Sequence, residues 1–174
     1  MNTNLKTARY DTFSRVLHWV VAVGIIYAMI VGYSLHFISN PTVFTFFSEL
    51  NMSLATVVTI LMAVRFVWRF LRPSVPYGDN IVGYKKGIVV LLHEVFYIII
   101  FVVLISGFLM LEKSYYLFGI IYVPQPLKNV EVNAFFFLVH RYSCISLGGM
   151  LVLHVLAVIK HQFFEKNSIL SRML

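Results

Sequence analysis

Charge is scarce in this chain. Of its 174 residues only 12% are Asp, Glu, Lys or Arg, and seven are acidic. A soluble domain usually carries about 25% charged residues. A chain that is 60% hydrophobic and this poor in charge belongs in a lipid bilayer. Cysteine is scarcer still. The lone Cys144 excludes a disulfide framework, a CxxC pair and a thiolate metal site, and with them thiol–disulfide exchange. Buried carboxylates, which proton and metal paths usually recruit, are also missing, because Glu94 alone falls inside an apolar run. The net charge of +7 does not signal nucleic acid, since the basic residues flank apolar runs and follow membrane topology.

What the chain has is four apolar runs, at about 16–38, 51–71, 88–111 and 135–159, each close to the ~20 residues that span a bilayer. The first is too long for a signal-peptide core and lacks a small-x-small cleavage site, so it is expected to be retained. Asn40-Pro41, Pro73, Pro76, Gly78-Asp79, Pro124 and Pro126 mark the segments between the runs as loops. There is no soluble domain and no internal repeat. The expected fold is all-α, a single four-helix membrane bundle. Eleven of the fourteen Lys and Arg lie in the N-terminus, the loop after the second run and the tail; only Lys113, Lys128 and Arg141 lie on the other side. That bias places both termini in the cytoplasm.

Orientation sorts the six histidines by depth. His18, His93 and His154 fall in the inner half, His36 and His140 in the outer, and His161 sits just past the end of the last span. An ionisable side chain within a span is costly and is usually paired or functional. His140 and His154 are fourteen residues apart, nearly four whole turns, so they share a helix face ~21 Å apart along the axis. Neutral imidazoles from two helices, in an apolar pocket without acid ligands, suit bis-histidine haem iron. Helix-borne ligands facing inward are the usual construction in a bundle. His18 faces His154 in the inner layer. Arg65, fourteen residues from the outer end of the second span, reaches the same depth. It reads either as a counter-charge for a haem propionate or as a side chain snorkelling to the headgroups. Trp19, Trp68 and Tyr97 read as an interfacial aromatic belt.

The segments RVLHW, VRFVWRF, LLHEVFY, LVHRY, VLHVLAVIKHQFF and KNSILSRML, in this order, resemble the bacterial cytochrome b561 family, related to the b-type subunits of nickel hydrogenases and formate dehydrogenases. The resemblance covers nearly the whole chain. It implies a multi-pass protein of the bacterial inner membrane, carrying two haems b and passing single electrons to or from a quinone such as ubiquinone. His18 and His154 would hold the inner haem. The outer haem would use His140 and a histidine early in the second span, but that position is Asn51, a poor iron ligand. Three outcomes follow for the outer site. His36, five turns beyond His18, substitutes; Met52 does, though rotated ~100° from Asn51; or the site is five-coordinate or lacks haem. Lys160 and His161, near the inner haem edge, are candidate quinone contacts, with interfacial anchoring as the alternative. Superoxide oxidation with ubiquinone as acceptor is a second activity the resemblance implies, although the outer charges, Lys113, Lys128 and Arg141 against Glu49, Glu112 and Glu131, balance and give no steering. A haem-bearing anchor for a partner redox protein and a histidine-lined proton or metal transporter are the rival classes.

Overall fold

The computed structural model describes residues 9–73, 75, 83–164 and 170–174. Helix α1 runs Thr12–Ser34 and continues as a 3-10 turn, Leu35–Phe37; α2 is Pro41–Leu71 and α3 Tyr84–Leu109. A two-stranded hairpin follows, β1 Tyr115–Leu117 and β2 Ile121–Val123, then α4, Val130–Ile159, which ends in a π-helical turn, Lys160–Phe164. Leu170–Arg172 form a last 3-10 turn. Lys6, Pro76, Gly78, Asp79 and Lys166 lie outside the described residues.

All four helices are long and apolar enough to cross a membrane. Their surfaces explain why. Large apolar side chains are exposed along every one of them, for example Val23 and Ile30 on α1, Ile60 on α2, Ile98 on α3 and Val152 on α4. Water would penalise such a surface, whereas acyl chains solvate it. Packing is pairwise: α1 lies along α2 and α3 along α4, while α2 meets α3 more lightly. The core is small, centred on Val21, Val58 and Met62, with Tyr97, Ile100, Phe101 and Leu104 of α3 against it. Gly24 lets α1 and α2 approach closely, since a Cβ there would lie 2.5 Å from Val58 Cγ2. Small residues serve this purpose where membrane helices pack.

Two expectations change. Asn40-Pro41 is not a loop but the start of α2: the Asn40 side chain accepts from the amides of Thr42 (3.0 Å) and Val43 (3.2 Å), and proline takes a first-turn position that needs no N–H. With 31 residues, α2 is ~46 Å long, more than a ~30 Å hydrocarbon core requires. Its first turns, with Glu49 exposed among Val43, Phe44 and Phe46, extend beyond the apolar run. The second change is the hairpin, in a segment read as loop. It pairs Tyr115 with Val123 and Leu117 with Ile121 and turns through Phe118 and Gly119, both at positive φ.

That hairpin caps the outer end. The Phe118 amide donates to Ser53 Oγ (3.0 Å), and the Tyr115 and Thr56 hydroxyls are 2.6 Å apart. Thr56 already donates to the Met52 carbonyl (2.9 Å), so Tyr115 is the donor to Thr56. Asn133 of α4, almost fully buried, donates to the carbonyls of Leu109 (2.9 Å) and Leu111 (3.1 Å) and so closes the end of α3.

Candidate functional site

The site grows from the start of α1. Asp11 caps that helix, accepting from the Ser14 amide (2.9 Å) and hydroxyl (2.6 Å), and also accepts from Trp68 Nε1 (3.2 Å) near the end of α2. Partial burial pushes its carboxyl upward, but the hydrogen bonds from Ser14 and Trp68 and the nearby Arg72 charge outweigh this and hold it below the usual carboxylate range. The cap therefore fixes α1 against α2 about two turns before His18.

His18, half-buried, stands edge-on to Trp19, with ring centroids 5.6 Å apart. It lies within electrostatic reach of Arg65 on α2, His154 on α4 and His93 on α3, so all four helices contribute to one cluster. His154 is held by two edge contacts from α3, to Phe96 at 5.4 Å and His93 at 6.4 Å. His93 sits beside it on the exposed side, its Nδ1–H donating to the Val89 carbonyl (2.7 Å). The expected pair, His18 and His154, thus lies within electrostatic reach of each other and of Arg65. His93 joins them; its depth was readable in sequence, but its contact with His154 was not.

The arginines of α2 divide by partner. Arg69 makes a bidentate ion pair with Glu94, Nη1 lying 3.0 Å from Oε2, and stacks on Phe66, Phe70 and Tyr97. Arg72 lies over the Tyr10 ring at 4.3 Å with its Nη1 buried and unpaired. Arg65 has no carboxylate partner among the described residues. Leu17, Arg65, Trp68, Tyr97 and Met173 share a small cavity at this end, with Ser14, Arg69 and Arg72 around it.

Met173 reaches that cavity because the tail folds back over the inner end. The Tyr10 amide donates to the Arg172 carbonyl (3.1 Å), Trp19 Nε1 to the Met173 carbonyl (2.9 Å), and Arg15 to the Leu174 oxygen. Trp19 and Trp68 therefore use their N–H groups inside the protein, beyond any role at the membrane interface. Lys160 and His161 lie on the π-helical turn that ends α4. Such turns recur at functional sites.

The outer half differs. His140 is half-buried and faces α3: its Nδ1–H donates to the Val103 carbonyl (2.9 Å). Its ring lies against Gly107, where a Cβ would come within 2.9 Å of Cε1. Ser106 Oγ is 3.5 Å from Nδ1 and Cys144 Sγ 3.5 Å from Nε2. Asn51 approaches α1, its Nδ2 lying 3.7 Å from where a Gly32 Cβ would be, and its Oδ1 is buried without a donor. His36 departs from the expected geometry. Regular α1 stops at Ser34, so the five-turn register with His18 does not hold, and the exposed ring donates from Nδ1 to the Tyr33 carbonyl (3.1 Å).

Among the described residues, no three of His, Cys, Asp and Glu gather into a cluster able to hold a bare metal ion. The inner donor set is different in kind: two imidazoles on separate helices, no acid ligand, and an arginine without a counter-ion. These residues fit a haem, whose iron takes two imidazoles and whose propionates need cations.

Four apolar helices with imidazoles gathered in one half define a helical membrane protein of the haem-binding class. The family model for prokaryotic cytochrome b561 matches residues 9–174, and the chain belongs to that family. It is a multi-pass membrane b-type cytochrome of electron transfer. Among curated proteins it is similar to cytochrome b561 homolog 2 of Escherichia coli (strain K12), 26% identical over 180 residues that cover 95% of this chain and 91% of the relative.

Proposed function

We propose that this cytochrome relays single electrons between the quinone pool and another redox partner through one haem b in its inner half, held by His18 and His154. In this reading the membrane is the bacterial inner membrane and the site lies toward the cytoplasm. The observation that carries it is that His18, His154 and Arg65, on three helices, lie within electrostatic reach of one another.

When bound, haem b supplies the one-electron redox chemistry. The chain supplies the rest. His18 and His154 would hold the haem iron, and their attachment to different helices would make its binding also a helix–helix tie. Phe96 and His93 restrict the His154 ring. Arg65 offsets propionate charge that an apolar interior would otherwise penalise. Leu17, Trp68, Tyr97 and the tail residue Met173 limit water at the inner end, and burial of this kind tunes a haem potential. Lys160 and His161, at the end of α4, offer N–H donors to quinone carbonyls.

Purified protein should show a bis-imidazole haem b spectrum that is lost in both His18→Ala and His154→Ala. The dithionite-reduced protein, freed of excess reductant, should be reoxidised by a soluble ubiquinone analogue in stopped flow. Unchanged spectra in both variants would sink the ligand assignment; no reoxidation would sink the quinone coupling.

A further inference from the structure

We infer that the outer half of this bundle holds no haem, and that His140 is instead a structural staple between α3 and α4. The inference rests on the reading that the inner half does hold one. It concerns only what the outer residues can ligate.

A six-coordinate outer haem needs a second ligand opposite His140. At the position where the family resemblance calls for it stands Asn51, whose carboxamide lies toward Gly32 of α1. An amide oxygen is a hard, neutral donor and a poor ligand for haem iron, which takes His, Met, Cys or Tyr. His36 is exposed, off the regular helix and bonded to its own turn. Met52 is rotated ~100° around α2 from Asn51. Neither His36 nor Met52 therefore stands where the missing imidazole would be.

His140 is itself tied to α3 through one ring nitrogen. The carbonyl of Val103 can only accept, so Nδ1 carries the proton and Nε2 is the bare nitrogen. Cys144, one turn along the same helix, puts its thiol 3.5 Å from that nitrogen as a weak donor. The imidazole thus bridges a carbonyl of α3 and a thiol of α4, and Gly107 gives it room by lacking a Cβ. The neighbouring polar groups also serve the fold: Ser53 and Thr56 anchor the hairpin, and Asn133 closes α3. The outer half thus offers one imidazole tied to α3 and, at the position where the resemblance calls for a second, an asparagine turned toward α1. Electrons would then enter and leave through the inner half rather than cross the membrane by two hops.

The test is haem per chain, by pyridine haemochrome and quantitative amino-acid analysis, on the full chain purified in detergent. Wild type should hold one. His140→Asn should also hold one, with unshifted Soret and α bands, because its Nδ2 can replace Nδ1 as donor to Val103. His140→Ala should hold one but melt earlier than His140→Asn, and if it fails to accumulate, the asparagine variant carries the test alone. Two haems in wild type would overturn the inference, as would a fall in haem content or the loss of a carbon monoxide-binding, five-coordinate component in His140→Asn. No haem in wild type would overturn the inner-site reading and this inference together.

Discussion

Gly24→Ala is a test of how the inner cluster is held in register. Gly24 lies six residues after His18 on α1, and Val58 seven before Arg65 on α2. Their contact therefore sets how His18 stands against Arg65. An alanine Cβ would lie 2.5 Å from Val58 Cγ2, in a core where Val58 is 5% exposed. Carbon atoms pack at about 3.5–4.0 Å, so the helices must part, or Val58 must move, by about 1 Å. Overpacking of this size costs about 1–3 kcal/mol. Replacing a mid-helix glycine recovers up to about 1 kcal/mol, which leaves a net loss of about 0–2 kcal/mol. Val58→Ala alone leaves a cavity and destabilises for the opposite reason. Together the two changes should compensate, with a coupling on the order of 1–3 kcal/mol. The measurement is a double-mutant cycle on reversible unfolding in mixed micelles, followed by helical signal and Soret absorbance. Strict additivity in the double variant would refute the argument that this contact sets the spacing.

Other outcomes follow from the same geometry. Glu94→Gln removes the ionic partner of a half-exposed pair but leaves Arg69 on Phe66, Phe70 and Tyr97, so thermal unfolding should show a modest loss, about 1 kcal/mol. Asp11→Ala should cost about 1 kcal/mol as a lost helix cap. Because the Asp11 carboxyl is held below its ordinary value, its contribution is complete above that ordinary value, about pH 4, and fades as pH falls through the folded one. The stabilities of wild type and Asp11→Asn should therefore differ by a constant amount above about pH 4 and converge in acid. Arg65→Leu should accelerate haem transfer to apomyoglobin, with Arg65→Lys intermediate; equal rates in all three would remove Arg65 from the haem site.

The sequence disclosed the spans and the common depth of His18, His154 and Arg65 for the same reason: both depend on position along a helix, which residue counting measures directly. Fourteen residues placed Arg65 level with His154, and the two prove electrostatic neighbours. What counting could not reach is rotation and local departure from a helix. His36 shared a face with His18 only while α1 stayed regular, and it ends at Ser34. His140 meets a carbonyl 37 residues away, a contact that side-chain identity does not encode. The tail docks through backbone oxygens, which leave no trace in residue type. The hairpin did leave one. Tyr115-Tyr116-Leu117 and Ile121-Tyr122-Val123 are β-prone runs around Gly119, hidden in a segment that prolines had marked as loop.

Charge gives an argument about the two halves that does not depend on counting ligands. A cation within a span is tolerated when something anionic answers it. In the inner half Glu94 answers Arg69, while Arg65 has no carboxylate partner among the described residues. In the proposed reading, the propionates of a haem would supply the anion that answers it. In the outer half Lys113, Lys128 and Arg141 are all exposed, as are Glu49, Glu112 and Glu131, so those six charges need no answer from a ligand. Ligand chemistry and charge balance therefore select the same half of the bundle. If a second haem were present outside, its propionates would have to be solvated by headgroups and water rather than by a buried cation, a difference that salt dependence of haem release would expose.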